Sequence, residues 1–530
     1  MTHRLWYRDE GGFAIITVTL ASVVLLLIVA ASVAYASGQR DLSRHDQDWN
    51  AALAAAQAGI DDYIFHLDQN SNYWQYTTTA ASPDHNAALS GWTSITGDSS
   101  LGQFQYSVDT SNITSGSVGL TASGKVRSTV RSVKVTLRQA SYLDDLYFTD
   151  FETKDPSLYQ NPPDPINATQ AQTQCGGLYW YTGRSSAGNC TQIFFASGDK
   201  INGPLHSNDA ISISGTPEFV GQASDSWNSS PGWVGDPNNT NNPSFDAGPF
   251  QYVAPIPLPQ SNAFLKALAD PSVGGTGCMF TGPTNIVLNS AGTMTVTSPD
   301  TKQSNCGTFP LASAQTMALP SNGVVYVQSV PTSTTDPNYS PACSSHPLGY
   351  PLVSGDITTY GCADGDAFVS GTLKGQLTIG TQTNIWVTGN VTYNGTVTNG
   401  TESGTDILGL MASNAVTVYH PVTCGGSCSN GTGSTSNLTI DAAIVGLNHT
   451  FIVANYQDGN PLSNLTINGS IAQKYRGPVG TFNSHGAVSG YQKAYSYDGR
   501  LKYLSPPHML DVAQTAWQIK VWSEIEPAAS

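Results

Sequence analysis

The sequence predicts an α+β, mainly β protein. One long N-terminal helix, first transmembrane and then amphipathic, precedes a small antiparallel sheet and a large disulfide-stapled domain of solenoid-like, β-helix form. Three observations carry this reading. Residues 13–36 contain no formal charge. An apolar stripe at helical spacing follows them. Beyond residue 70, short alternating apolar runs punctuated by Gly and Asn recur almost to the C-terminus.

The composition sets the class. Of 530 residues only 11% are charged, while Gly contributes 52 and Pro 30, a balance that suits an extracellular β-rich chain better than a cytosolic helical one. The net charge of −16 argues against nucleic acid as a partner, because phosphate neutralisation needs a basic footprint. The eight cysteines, Cys175, Cys190, Cys278, Cys306, Cys343, Cys362, Cys424 and Cys428, all lie beyond the apolar segment. An even number on one side of a membrane segment reads as disulfides formed outside the cytosol, with each cysteine joined to its sequence neighbour as the simplest pairing. Cys424-Gly-Gly-Ser-Cys428 has ligand-like spacing, but no second Cys or His pair follows it at zinc spacing. No metal or cofactor is expected.

At 1.5 Å per residue, residues 13–36 form about 36 Å of helix, enough for a hydrocarbon core of about 30 Å. That is long for a cleaved secretory signal, although Ala34-Tyr35-Ala36 fits the small-x-small cleavage pattern. In residues 37–70, Trp49, Leu53, Ala56, Ile60, Tyr63 and Leu67 step by four and three along one helical face. Between them, "AALAAAQAG" is a strong helix-forming run. The membrane helix therefore continues outward and stops near Asn70. Its stripe packs either on its own domain or on copies in neighbouring subunits, and the spacing suits both.

Arg4 and Arg8, then Gly12-Phe13, then an apolar helix running into an amphipathic one resemble the start of type IV pilin-like proteins. More narrowly, "ALAAAQAGIDDYIFHL" is similar to the N-terminal region of PilX-type minor pilins. The resemblance covers about the first 70 residues. It implies that residues 1–12 are a leader removed by prepilin peptidase between Gly12 and Phe13. Phe13 then becomes the new, N-methylated terminus, and partners are the membrane, other pilin-like subunits and the assembly machinery. One position departs from the pattern. The fifth residue after the junction, Glu in major pilins, is Thr17 here. That departure limits the implied role to a minor, tip or priming subunit.

Residues 71–140 predict the small sheet: "GQFQYSVDT", "VGLTASGKV" and "RSVKVTLRQ" alternate, with Val133, Val135 and Leu137 on one face. Residues 141–170, aromatic, acidic and Pro-rich, read as a junction. Residues 171–505 repeat a β-turn-β theme that suits stacked parallel coils, with a β-sandwich as the alternative. One helix is expected at "SNAFLKALAD", capped by Ser261 or Asn262. Near the end of this region, Arg476 and Arg500 beside Tyr475, Tyr497 and Tyr503 suit cation–π closure of the solenoid end. This portion resembles those of large bacterial surface proteins with the same pilin-like start. Residues 506–530 form a C-terminal segment.

A solenoid raises the question of polysaccharide cleavage. The candidate acids Asp364, Asp366 and Asp441, with Lys474 and Arg476, are scattered, and the histidines form no HxH or HExxH spacing. Nucleophile-elbow, P-loop and dinucleotide fingerprints are absent from the sequence. The expectation is therefore no catalytic residue and no enzyme. The expected protein is a single-pass, membrane-anchored structural or assembly subunit whose bulk is extracellular, in or at the tip of a surface filament, with a glycan or other surface ligand as a further partner. The alternative is an anchored or secreted enzyme or binding protein acting on extracellular polysaccharide.

Overall fold

The computed structural model describes residues 11–526, apart from 71, 96–100, 114–115, 140, 187, 342–347, 351–359, 484–485 and 510–516. They divide into two compact units. The small unit takes residues up to 110, 118–137 and those from 521, and the large unit takes 111–117 and 138–520. The leader expected at 1–12 lies largely outside the described residues. Among its last two positions only the helical backbone of Gly11 and Gly12 is described.

In the small unit, one unbroken helix, Gly11–Gln69, spans 59 residues. A five-stranded sheet follows in the order Thr93–Ser94, Gln103–Asp109, Ser117–Val126, Thr129–Gln139, Trp517–Ile525. The three alternating runs read from the sequence are its middle strands. Gln103–Asp109 pairs antiparallel with Ser117–Val126, Tyr106 facing Ala122. Alternation places Phe104, Tyr106, Leu120, Ala122, Val133, Val135 and Leu137 in the core. The fifth strand comes from the C-terminal segment. It is mostly exposed, although Trp517, Ile519 and Val521 alternate with Gln518 and Lys520.

In the large unit the strands stack in parallel, the pairing that coils require and face-to-face sandwiches lack. One ladder runs Cys278–Thr281, Val324–Gln328, Gln376–Thr381, Ile407–Ala412, Leu438–Gly446 and Pro461–Arg476. It does not end there. Pro461–Arg476 pairs onward with Tyr147–Lys154, then Leu205–Ser207, Ala223–Asp225 and Gln251–Tyr252. A second ladder makes the same jump: Pro461–Arg476 to Gly486–Tyr497, then Lys200–Asn202, Glu218–Phe219 and Ser244–Phe245. Stack order is thus a circular permutation of chain order.

Two sequence expectations are corrected by this topology. Residues 141–170 are not a junction: Tyr147–Lys154 is a strand at the middle of the stack, and the main segment of the large unit runs from Arg138 rather than 171. Nor does the Tyr- and Arg-rich stretch around 475–500 close an end, since earlier residues stack beyond it. The arginines find other rings. Arg476 lies over Phe195 at 3.7 Å and Arg500 over Tyr393 at 5.1 Å.

The permutation obliges the chain to travel from one end of the stack to the other between Tyr252 and Cys278. A strap does this. Its Pro255, Pro257 and Pro259 favour extended backbone and leave few amides needing partners. Val253 donates its amide to Asp225 at 2.8 Å, Asn208 exchanges two 2.8 Å bonds with the backbone of Ile256, and Leu258 is buried. Asn262 then donates to the carbonyls of Thr381 and Met411 at 2.9 and 3.1 Å. Its side chain is therefore spent on the stack and does not cap the helix Ala263–Ala269 that it precedes.

Disulfides join Cys175–Cys190, Cys278–Cys306 and Cys424–Cys428, each between sequence neighbours. Cys362 is also disulfide-bonded, and Cys343 lies outside the described residues.

The residues on either side of the strap pair through two ladders, so cutting the strap should not separate them. With a protease site in place of 254–257, the cleaved full-length protein is expected to co-elute as two chains in non-reducing detergent solution. Dissociation on cutting would contradict the permuted stack.

Candidate functional site

The long helix has two chemically different parts. From Ala14 to Tyr35, mean hydropathy is 2.8 and every side chain is exposed. This is the one helix among the described residues long and apolar enough to cross a membrane. Its hydroxyls are satisfied within the helix. Thr17 donates to the Ala14 carbonyl at 2.9 Å, Ser22 to Val18 at 2.7 Å and Ser32 to Ile28 at 2.8 Å. Such local bonds make hydroxyls tolerable in an apolar surround, where an unpaired carboxylate would be costly. Of the expected processing residues, Gly12 and Phe13 fall in the first helical turns, and their side chains lie outside the described residues.

From Ala52 onward the helix packs on its own sheet. Ala52, Ala56, Ile60, Tyr63 and Leu67 are at most 2% exposed. Small residues allow a close approach: a Cβ at Gly124 would collide with the Ala52 carbonyl oxygen and the Ala56 amide, and one at Gly59 would sit 3.1 Å from the Phe104 ring. Tyr63 meets Tyr106 and Tyr73 edge-on at 5.2 and 5.8 Å. Tyr106 donates to Asp62 at 2.8 Å, and His66 reaches Asp84 at 3.0 Å while stacking on Tyr73 at 4.7 Å. These contacts fix the helix end.

Four of the six expected assembly-face residues, Ala56, Ile60, Tyr63 and Leu67, are therefore occupied within the chain. Leu53 is half-buried. Trp49 is 45% exposed and carries Arg131 over its ring at 4.6 Å, a guanidinium that also grips Glu524 through two 2.7 Å bonds. Between the two readings of the stripe, this structure uses it for packing on the chain's own domain.

The acids considered for catalysis each hold hydrogen-bond partners within the fold. Asp366, fully buried, accepts from Trp386 Nε1 at 3.1 Å, from the Asn384 amide at 2.7 Å and from the Thr383 hydroxyl; burial pushes its carboxyl up to about 6. Asp364 caps the Gly361 amide at 2.6 Å. Asp441 accepts from the Tyr393 amide at 2.9 Å and the Asn468 side chain at 2.7 Å. Arg476 pairs with Glu152 at 2.9 Å. Lys474 is half-buried and lies near Asp150. Ser157, His449 and Asp155 do meet, but both Ser157 Oγ and His449 Nδ1 approach the same Asp155 carboxylate, at 2.7 and 2.8 Å. A Ser–His–Asp relay needs the serine on the far ring nitrogen. Among the described residues, no group of His, Cys, Asp and Glu has metal-site geometry.

Sequence reasoning missed a buried polar cluster at the middle of the stack. Glu152 takes Arg476 and the Thr149 hydroxyl. Asp209 takes Arg184, together with the amides of Trp180 at 2.7 Å and Glu152 at 2.9 Å. Asp225, in register with Ser207 of the next strand, is fully buried with one oxygen unpartnered; burial and the nearby carboxylates push it up to about 8. His206, bonded to Ser224 and Asn208, is pushed down to about 4 by burial. No local spacing signals this cluster, because its members come from distant coils.

No protein-family model matches the chain, and no match is found among curated proteins. Among solved structures, the competence-associated pilin ComZ from Thermus thermophilus is similar at 13% identity and a TM-score of 0.26, over 90% of this chain and 97% of that one.

Three changes test this geometry. Gly124→Val should destabilise the small unit by about 1–3 kcal/mol or more through overpacking, read by denaturant unfolding in detergent. Tyr63→Phe removes a buried hydroxyl without a partner and should leave stability equal or higher. The Asp225 proton is held more tightly folded than unfolded, so this group's contribution to stability falls as pH rises from about 4, the unfolded value, towards about 8. His206 acts oppositely, with stability rising from about pH 4 to 6.5. Between pH 7 and 8 the parent should lose stability relative to Asp225→Asn. Parallel pH profiles would contradict the assignment.

Proposed function

We propose that this chain is a membrane-anchored, pilin-like surface subunit with a structural or assembly role, processed after Gly12 and held in the bilayer by Ala14–Tyr35. The observation that carries the reading is the single helix Gly11–Gln69. Its first part is wholly exposed and apolar, and its last part is clamped to a small antiparallel sheet. A secretory signal needs no rigid continuation into a folded head, whereas a subunit that carries its head on its anchor does.

Thr17 refines the role. With a hydroxyl bonded to its own helix, this residue offers no charge to pair with a neighbour's terminal amine. The proposal is therefore a minor, tip or priming subunit with the large β-unit displayed outside the cell, partnered by other pilin-like subunits and by the membrane. The proposal includes no catalysis: each acid considered for it already has a structural hydrogen-bond role.

Mass spectrometry of the protein recovered from its native membrane tests this directly. The expected mature terminus is Phe13, bearing a methyl group. A terminus at Ser37, or a retained Met1, would overturn the pilin-like reading.

A further inference from the structure

At mid-stack, the two permuted halves of the large unit meet around a cleft of about 320 Å³, within the range of small-ligand sites. The residues before the strap supply Lys154, Gln160, Asp164 and Ile193, and those after it supply Tyr456 and Gln457. The cleft exists only because the halves are joined here.

Its chemistry is selective. Lys154 holds both oxygens of Asp164 at 2.8 Å, and the Gln160 backbone N–H adds a third 2.8 Å bond to the same carboxylate. The wall's two charges thus satisfy each other, and a charged ligand would find no unpaired counter-ion. Tyr456 is half-buried and presents an apolar body with a polar tip. Burial, with Asp164 and Asp458 nearby, pushes its phenol up to about 12, so it remains a neutral donor and acceptor. The side-chain amides of Gln160 and Gln457 are exposed at the rim, and among the described residues neither is seen bonded to another side chain or carbonyl. Each can donate and accept at once, the pattern that vicinal hydroxyls complement.

From these features we infer that the cleft binds a short neutral saccharide, a pyranose seated against Tyr456 and Ile193 with its hydroxyl edge on Gln160 and Gln457. The inference goes beyond the proposed anchoring role and does not depend on how the N-terminus is processed.

The test uses the full-length protein in a detergent without a sugar headgroup, titrated calorimetrically. The probes are maltotriose, cellotriose, mannotriose and chitotriose, with trigalacturonate and tetra-alanine as charged and peptide comparisons. At least one neutral trisaccharide is expected to bind. Gln457→Ala, a rim change, should weaken that binding about tenfold, roughly the loss of one ligand hydrogen bond. Thr191→Trp, at an exposed lining position, should block it. Unchanged thermal unfolding of both variants is the folding control. Absence of binding across the neutral panel would overturn the inference. So would binding that survives both substitutions, or a preference for trigalacturonate or tetra-alanine.

Discussion

The large unit depends on the pairing of Pro461–Arg476 with Tyr147–Lys154. Where these strands meet, Arg476 is buried against Glu152 at 2.9 Å and lies over Phe195 at 3.7 Å. A second ion pair, Lys493 with Asp199 at 2.9 Å, crosses the same join one ladder away. Isolating either charge at the Arg476–Glu152 pair would leave the other buried and unpaired, which costs far more than the intact pair contributes. Everything distal to it, including the strap and the seam cleft, exists because the chain closes here.

The small unit rests on a different constraint, close contact between helix and sheet. Ala52, Ala55 and Ala56 let the strand bearing Gly124 lie almost on the helix backbone, and Tyr63, Tyr73 and Tyr106 fill the wider space beyond. The amphipathic stripe is thereby consumed within the chain. Any contact that this helix makes with another subunit must use its apolar first part or the faces that the sheet leaves free.

Local patterns were legible in the sequence. The span from 13 to 36, the stripe at Ala56, Ile60, Tyr63 and Leu67, the three alternating strands and the neighbour disulfides all depend on residues close in the chain. Longer-range features were not. Tyr147–Lys154 looked like a junction because its acids and aromatics break the coil pattern, yet Phe151 pairs with Tyr475 and Glu152 with Arg476, each more than 300 positions away. Asn262 looked like a helix cap because capping is a local role, but its amide serves Thr381 and Met411. Trp517–Ile525 carries a short alternating run, Trp517, Ile519 and Val521, but its sheet partner Thr129–Gln139 lies almost 400 positions earlier in the chain. The seam cleft was invisible for the same reason, since its two walls are joined only through the permuted stack.

Zero-length carbodiimide cross-linking with peptide mass spectrometry tests the permuted join most directly. The account predicts an isopeptide bond between Lys493 and Asp199, which lie 2.9 Å apart across the seam. The exposed pair Lys200–Glu218, at 2.6 Å within one half, serves as the positive control. Recovery of the control link with no link between the two halves, or with Lys493 joined to an acid elsewhere, would contradict it.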